Sequence, residues 1–439
     1  MDKSLFHGLL NSILGKYIHY LTYAVSLMVL ARLFTPEQFG VFTSIYVITI
    51  FFYLLCEMGL VPALIAKESI DIKMRDGVFS LTFIIGTVLS FLLFASEPIV
   101  SWYFKIDGFE SIIVPISLSV VFQSLSTMPL ASLQKERKFF VIARCNSISE
   151  IITLISVYYL YHVVEPIMAL SMKPLLTTSL QFVLLWIASN RTRTGKAKLG
   201  KYLNQVCYLL SFSKSQLGFN LVNFFSKNLD TILVAKYLGL TSLAIYDKAY
   251  QLMRYPLMLL TYSMSPAIQP IVKEIKSDTY EFERIHNRFT RYLLYLGMLI
   301  GLFIYCMSET IVYVILGEQW LHVATLLKIL SLSIPFQIVW GATAGFFQAA
   351  NRADLLFKSG WISSIANVSA ILLGVYIGNI ESLCWCLVVS NVFSFIQGYL
   401  IFSNNILLNK LAGIIVDLKV ALILNFTFLT TGSYLLLSV

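Results

Sequence analysis

Ionisable side chains stand in this sequence where hydrocarbon surroundings make them expensive. Lys227 and Asp230 lie three residues apart in an apolar run, with Asn220 and Asn223 on the same helical face. In the next apolar run Asp247, Tyr250 and Arg254 share one face. A charge at the centre of a membrane helix costs about 2.5 kcal/mol or more, so such groups turn towards an interior, a partner or a passenger. Two chemistries fit the Lys227–Asp230 spacing: an intrahelical ion pair that neutralises itself, or a polar lining. Arg254 falls about 14 Å from the outer end of its helix, too deep to reach an interface easily, and its planar fork suits a phosphate oxyanion. Lys173 and Lys328 are weaker candidates of the same kind. His19 and Tyr23 occupy an earlier helix; Glu57 and Glu150 are intramembrane carboxylates that either meet a cytoplasmic cation or serve an H⁺ or Na⁺ pathway.

The elements that position these groups follow from composition: 58% of the 439 residues are hydrophobic and 13% charged. Uncharged stretches such as 78–96, 111–133, 329–351 and 359–380 approach the roughly 20 residues that a spanning helix needs. Helices are expected near 11–33, 39–62, 78–97, 111–133, 144–164, 166–189, 214–236, 245–272, 290–307, 322–348, 358–378, 381–404 and 415–438. Of the 32 Lys and Arg residues, 24 fall on alternate connections together with the N-terminus. The positive-inside rule places that set in the cytoplasm, so the net charge of +9 reflects topology and membrane lipid contact, and nucleic acid is not an expected partner. The first apolar stretch lacks a cleavage site and reads as a retained helix. Six cysteines without CxxC or His/Cys spacing read as packing residues; neither a metal nor a cofactor is expected. No phosphate-cradling loop or nucleophile elbow occurs, and the longest extramembrane piece is about 25 residues, which leaves no room for a nucleotide-binding domain.

A weak internal repeat organises the chain. At an offset of 204, Ala31-Arg32 falls on Ala235-Lys236, Phe42 on Tyr246, Tyr46 on Tyr250, and Pro62-Ala63 on Pro266-Ala267. The same offset sets His19, Tyr23 and Ser26 on Asn223, Lys227 and Asp230. Ten residues further, Gln134 falls on Gln348 and Arg144 on Lys358. The expected fold is therefore an all-α polytopic membrane protein. It has twelve core transmembrane helices in two parallel six-helix pseudo-repeats, with a thirteenth helix outside them. Expected domains are 1–190, a basic cytoplasmic linker 191–213, 214–405, and an additional C-terminal helix in 406–439.

The run Phe219-Asn220-Leu221-Val222-Asn223-Phe224-Phe225-Ser226-Lys227-Asn228-Leu229-Asp230, followed by Lys236-Tyr237-Leu238-Gly239, resembles the helix-7 signature of bacterial polysaccharide transporters. Tyr246 to Pro256 resembles the helix that follows in that family, and Ala31 to Phe42 its helix 1–2 turn. The similarity covers essentially the whole chain and points to the Wzx-type O-antigen and exopolysaccharide flippases, in the superfamily that includes MATE drug exporters and the lipid II flippase. Many members have fourteen helices; thirteen or twelve are expected here. The resemblance implies a non-enzymatic flippase in the bacterial inner membrane, carrying an undecaprenyl-pyrophosphate-linked oligosaccharide outward by alternating access. Its implied partners are the lipid-linked oligosaccharide, a glycan polymerase and a chain-length regulator. A drug/cation antiporter on the same scaffold, or a membrane enzyme or polymerase acting on the same lipid, are the alternatives. The charge pattern makes a direct prediction. Single cysteines at Ser101, Thr241 and Glu381, in a background lacking the native cysteines, react with an impermeant thiol reagent added to intact cells, and cysteines at Lys196 and Arg284 do not. Labelling of position 196 in intact cells reverses the orientation.

Overall fold

The computed structural model describes residues 3–106, 109–200, 207–275 and 279–407. The expected helix at 415–438 lies outside them. Among the described residues the structure is helical throughout. In order come α1 (Lys3–Leu33), α2 (Pro36–Glu57), α3 (Leu60–Ala66), α4 (Ile72–Ala95), α5 (Glu97–Phe104), α6 (Phe109–Leu125), α7 (Thr127–Lys135) and α8 (Phe139–Tyr161). Then follow α9 (Pro166–Ser189), α10 (Cys207–Tyr237), α11 (Leu240–Ile275), α12 (Thr279–Ile315), α13 (His322–Ser331), α14 (Ile334–Ala349), α15 (Ala353–Ile377) and α16 (Ile380–Ile406).

Local sequence explains where these helices start. Thr35 and Gln38 form a reciprocal capping box ahead of α2, with Pro36 in the first turn. Asp71 caps α4 by accepting the Met74 N–H at 3.0 Å. Each of the first twelve expected segments coincides with a helix or a broken pair. Three breaks went unforeseen. Met58 and Gly59 adopt left-handed φ of 44° and 68° between α2 and α3, α6 gives way to α7 at Ser126, and α13 and α14 meet at 54°. Averaged hydropathy does not register them, because the segments on both sides remain apolar as a whole, even with Glu57 beside the first break.

Eight helices among the described residues are long and apolar enough to cross a membrane, or nine with the bent α13–α14 pair counted as one span. α10 and α11, with 31 and 36 residues, have the length but are not among them; they carry Lys227, Asp230, Asp247, Lys248 and Arg254. On the outer faces Phe91, Ile155, Leu299, Phe303, Leu373 and Val389 are exposed, a surface that water would not tolerate and lipid does. Inside, small residues bring helices together. A Cβ on Gly86 would lie 2.7 Å from that of Ser124. Beside it, Ser124 donates to the Thr82 carbonyl at 2.6 Å and Ser90 to that of Ser117 at 2.7 Å.

The chain divides into two compact units, Met1–Ala244 and Ile245–Val439. The division falls after α10, not in the basic stretch 191–213, because α10 packs on α2, α3 and α5 of the first unit. The helix junctions repeat their backbone hydrogen bonds at the offsets noted above. Phe34 N–H donates to Leu30 O and Phe39 N–H to Thr35 O; 204 residues on, Leu238 donates to Val234 and Leu243 to Gly239. After α7, Arg137 donates to Gln134 and Lys138 to Leu133; 214 residues on, Asn351 donates to Gln348 and Arg352 to Phe347. Arg137 and Asn351 share a left-handed φ of 57° and 59°. Few side chains match, yet the turns do.

Part of the stretch expected as a linker is pinned to the first unit. Arg75 and Asp76, both buried, pair bidentately at 2.7 and 3.0 Å. Arg75 also donates to the Thr194 carbonyl, and Asp76 accepts the Lys198 N–H at 2.9 Å. Ser80 accepts the Gly200 N–H at 2.8 Å, Trp186 donates to Ala197 O at 2.9 Å, and Lys196 lies 4.5 Å over the Trp186 ring. Ala197 itself is buried among Leu60, Leu64, Val78 and Met128. Glu136, beyond the end of α7, accepts the Arg193 N–H and pairs with Lys138 at 2.8 Å. Burial pushes the Glu136 carboxyl up, but those two partners outweigh it and hold it below the usual range. Replacing Asp76 by Asn removes charge-assisted bonds worth about 1.5–3 kcal/mol. In Asp76→Asn, trypsin therefore cuts detergent-solubilised protein between Arg191 and Lys198 about tenfold or more faster than in the wild type. An unchanged cleavage rate means that the segment is held by something else.

Candidate functional site

Helices α1, α2, α6, α8 and α9 of the first unit line a cavity of about 290 Å³. α1 contributes His19 and Tyr23, and α2 contributes Phe42, Tyr46 and Tyr53. Gln123 comes from α6, Asn146 and Glu150 from α8, and Lys173, Thr177, Thr178 and Gln181 from α9. Pro174 interrupts the α9 hydrogen-bond ladder beside Lys173, and the Thr178 hydroxyl donates to its carbonyl at 2.9 Å.

At the cavity wall Lys173 Nζ stands 3.0 Å from Glu150 Oε1, with side chains only 16% and 6% exposed. The ammonium also lies 5.4 Å from the Tyr23 ring centroid, within cation–π range. His19 Nδ1 is buried with no protein hydrogen-bond partner, and Ser26, two turns further along α1, is fully buried. Further along the same two helices Gln181 Nε2 donates to Asn146 Oδ1 at 2.7 Å, and on α2 Tyr46 stacks on Phe42 with centroids 5.3 Å apart. Tyr53 shares a 2.6 Å hydrogen bond with Ser119. A wall of this composition can hold hydroxyl groups and water within the bundle.

Of the expected site residues, His19, Tyr23 and Glu150 meet here, joined by Lys173. Glu150 does not turn to a cytoplasmic cation: its partner comes from the neighbouring spanning helix. Glu57 stands apart, exposed at the α2–α3 break and absent from the cavity lining. In α10, Lys227 is exposed, Asn220 and Asn223 are half-buried, and Asp230 is buried, its Oδ1 accepting the Thr231 N–H at 2.8 Å. In α11, Asp247 pairs with its neighbour Lys248 at 3.1 Å, and the Arg254 guanidinium lies 4.5 Å over the Tyr250 ring. Tyr250 in turn packs on Tyr246 at 5.6 Å. Lys328 pairs with the exposed Glu309 at 2.6 Å. The residues missed from sequence are uncharged: Gln123, Asn146, Thr177, Gln181, Tyr46 and Tyr53. An amide inside an otherwise apolar helix was the available signal, since lipid leaves its donors unpaired.

Among the described residues, helices with apolar outer faces and a cavity carrying buried charges define a polytopic membrane protein, and the comparisons give its fold and family. The structure superposes on the lipid II flippase MurJ in an inward closed conformation with a TM-score of 0.71 at 15% identity, over 97% of this chain and 100% of that one. An inward-facing multidrug resistance MATE transporter of the MOP superfamily gives 0.60 at 13%, over 87% and 93%. A family model described as "Polysaccharide biosynthesis protein" matches residues 29–325, and the chain belongs to that family. It is 22% identical to the teichuronic acid biosynthesis protein TuaB of Bacillus subtilis, over 82% of this chain and 74% of that protein. With the lipopolysaccharide biosynthesis protein WzxC of Escherichia coli it shares 23%, over 80% and 71%. The succinoglycan biosynthesis transport protein ExoT of Rhizobium meliloti is 21% identical, over 84% and 74%.

The buried ion pair makes a separable prediction. Glu150→Gln or Lys173→Met alone strands one charge and lowers stability by about 3–5 kcal/mol. The Glu150→Gln/Lys173→Met double variant recovers most of that in a thermal melt of purified protein, and still fails to restore surface glycan. A fully active double variant makes the pair structural only.

Proposed function

We propose that the protein moves an undecaprenyl-pyrophosphate-linked oligosaccharide, an O-antigen or exopolysaccharide repeat unit, from the cytoplasmic to the periplasmic leaflet of the bacterial inner membrane. One observation carries this reading: a cavity with buried charges and hydroxyl-binding groups inside a lipid-compatible bundle of the polysaccharide biosynthesis family. A pyrophosphate that leaves water for a 30 Å apolar slab must exchange hydration for fixed donors. Arg254, with Lys227, offers cationic ones; Asp247, Asp230, Tyr250, Asn220 and Asn223 make up the polar lining of α10 and α11. The sugars occupy hydrated space and the polyprenyl tail remains in lipid. Twelve core helices in two parallel six-helix repeats, with a thirteenth outside, rock to alternate access, and the N-terminus is cytoplasmic.

Glu150 supplies coupling in this scheme: a proton or Na⁺ that takes the place of Lys173 frees the ammonium, and the two arrangements bias the bundle differently. Glu57 is a second carboxylate for the same role. A glycan polymerase and a chain-length regulator act on the delivered unit. The drug/cation antiporter reading has less support, because Lys173 already neutralises the carboxylate that a cationic drug would need.

Arg254 tests the scheme. Arg254→Ala, present in the membrane at the wild-type level, abolishes surface polysaccharide and leaves lipid-linked units on the cytoplasmic leaflet. Arg254→Lys recovers part of the export, because an ammonium keeps the charge and loses the bidentate geometry. Full surface glycan from Arg254→Ala removes the cationic step and favours the antiporter.

A further inference from the structure

One turn along α8 and two along α9 from the ion pair, the same wall of the first unit's cavity changes character. Asn146 and Gln181 are joined by one amide–amide hydrogen bond of 2.7 Å. An amide pair joined once uses one donor and one acceptor. Whichever way the two groups are turned, a carbonyl oxygen and an NH₂ remain, side by side, for a third party. Two adjacent hydroxyls of a pyranose ring, each both donor and acceptor, match that arrangement; a phosphate, which only accepts, does not. Tyr46, held against Phe42 with ring planes 15° apart, adds an aromatic surface with a hydroxyl at its edge. Such a ring packs against the C–H face of a sugar and keeps its polar tip wet.

Size and charge narrow the occupant. A volume of about 290 Å³ stands at the lower limit of small-molecule sites, about 300–1,000 Å³. It has room for one sugar ring. Glu150 and Lys173 cancel, so the wall carries no formal excess charge and a uronate gains little from it.

We propose that the Asn146–Gln181 amide pair and Tyr46 form a monosaccharide subsite that selects one uncharged sugar residue of the cargo. The assignment rests on the flippase reading and deepens it: cationic groups elsewhere recognise the pyrophosphate common to every such lipid, and this subsite recognises the sugar that differs. Affinity for the bare lipid and affinity added by the sugar are therefore separable quantities.

The test measures binding to the purified full-length protein in nanodiscs. Its probes are undecaprenyl pyrophosphate without sugar and the same lipid bearing a single glucose, galactose, N-acetylglucosamine or N-acetylgalactosamine. The wild type binds at least one glycosylated lipid about tenfold or more tighter than the bare lipid, a gain typical of hydrogen-bonded recognition. Gln181→Leu and Asn146→Leu bring that affinity to within about twofold of the bare lipid, without changing the bare-lipid affinity. Tyr46→Leu, which leaves the amides intact, also reduces the gain and serves if an amide variant does not fold. Equal binding of bare and glycosylated lipids by the wild type overturns the subsite while leaving the flippase reading intact. So does an undiminished sugar gain in Tyr46→Leu or in both folded amide variants. Failure to bind even the bare lipid strikes the flippase reading itself, and the subsite falls with it.

Discussion

Hydrocarbon offers no hydrogen bonds, and the described helices are arranged around that constraint. Several polar groups on neighbouring helices find each other. Glu150 meets Lys173, Ser124 and Ser90 reach carbonyls on the facing helix, and the Gln397 amide bridges Ser359 and Ser363 between α15 and α16. In water these contacts would each add little, because solvent competes for both partners. Inside the bundle they decide which helices stand next to which. The close approach at Gly86 and the hydroxyl bonds beside it are two halves of one device: a small residue opens the gap, and a short polar side chain closes it.

Much of the helical order was legible in the sequence, because spanning helices announce themselves by length and by missing charge. The repeat was legible at the junctions for a different reason. Turns need particular backbone geometry, and the Arg137 and Asn351 turns keep it despite different residues. The break at Ser126 was not legible, since it does not interrupt the apolar pattern, and at Met58–Gly59 the signal was only local, a carboxylate at Glu57 and a glycine two residues on. α10 and α11 show the opposite case: their charges marked them as interesting and equally kept them from resembling ordinary spans.

The candidate site was half legible, and charge explains which half. Glu150 and Lys173 were visible as isolated ions in apolar helices, but their pairing depended on how α8 folds back against α9. Asn146 and Gln181 drew no notice because a neutral amide barely changes hydropathy, although its buried donors make nearly the same demand for a partner. A search for lone amides and carboxylates together, helix by helix, would have found the cavity wall. Membership in the polysaccharide biosynthesis family and the fold shared with MurJ and MATE transporters then set that wall within a known membrane-protein fold.

The first unit is also braced at one end. Lys135, at the end of α7, donates to the carbonyls of Leu64, Ile65 and Lys67, where α3 stops. Lys138 reaches the Arg191 carbonyl beyond α9, and Arg75 of α4 holds Thr194. Five helices are thus tied at one rim by cations gripping backbone, a form of attachment that does not depend on the identity of the neighbouring side chains. The second unit has Ala349 where the repeat sets Lys135. The rim therefore works as a clasp: none of the five helix ends can slide along its neighbours without breaking a bond between a cation and a carbonyl.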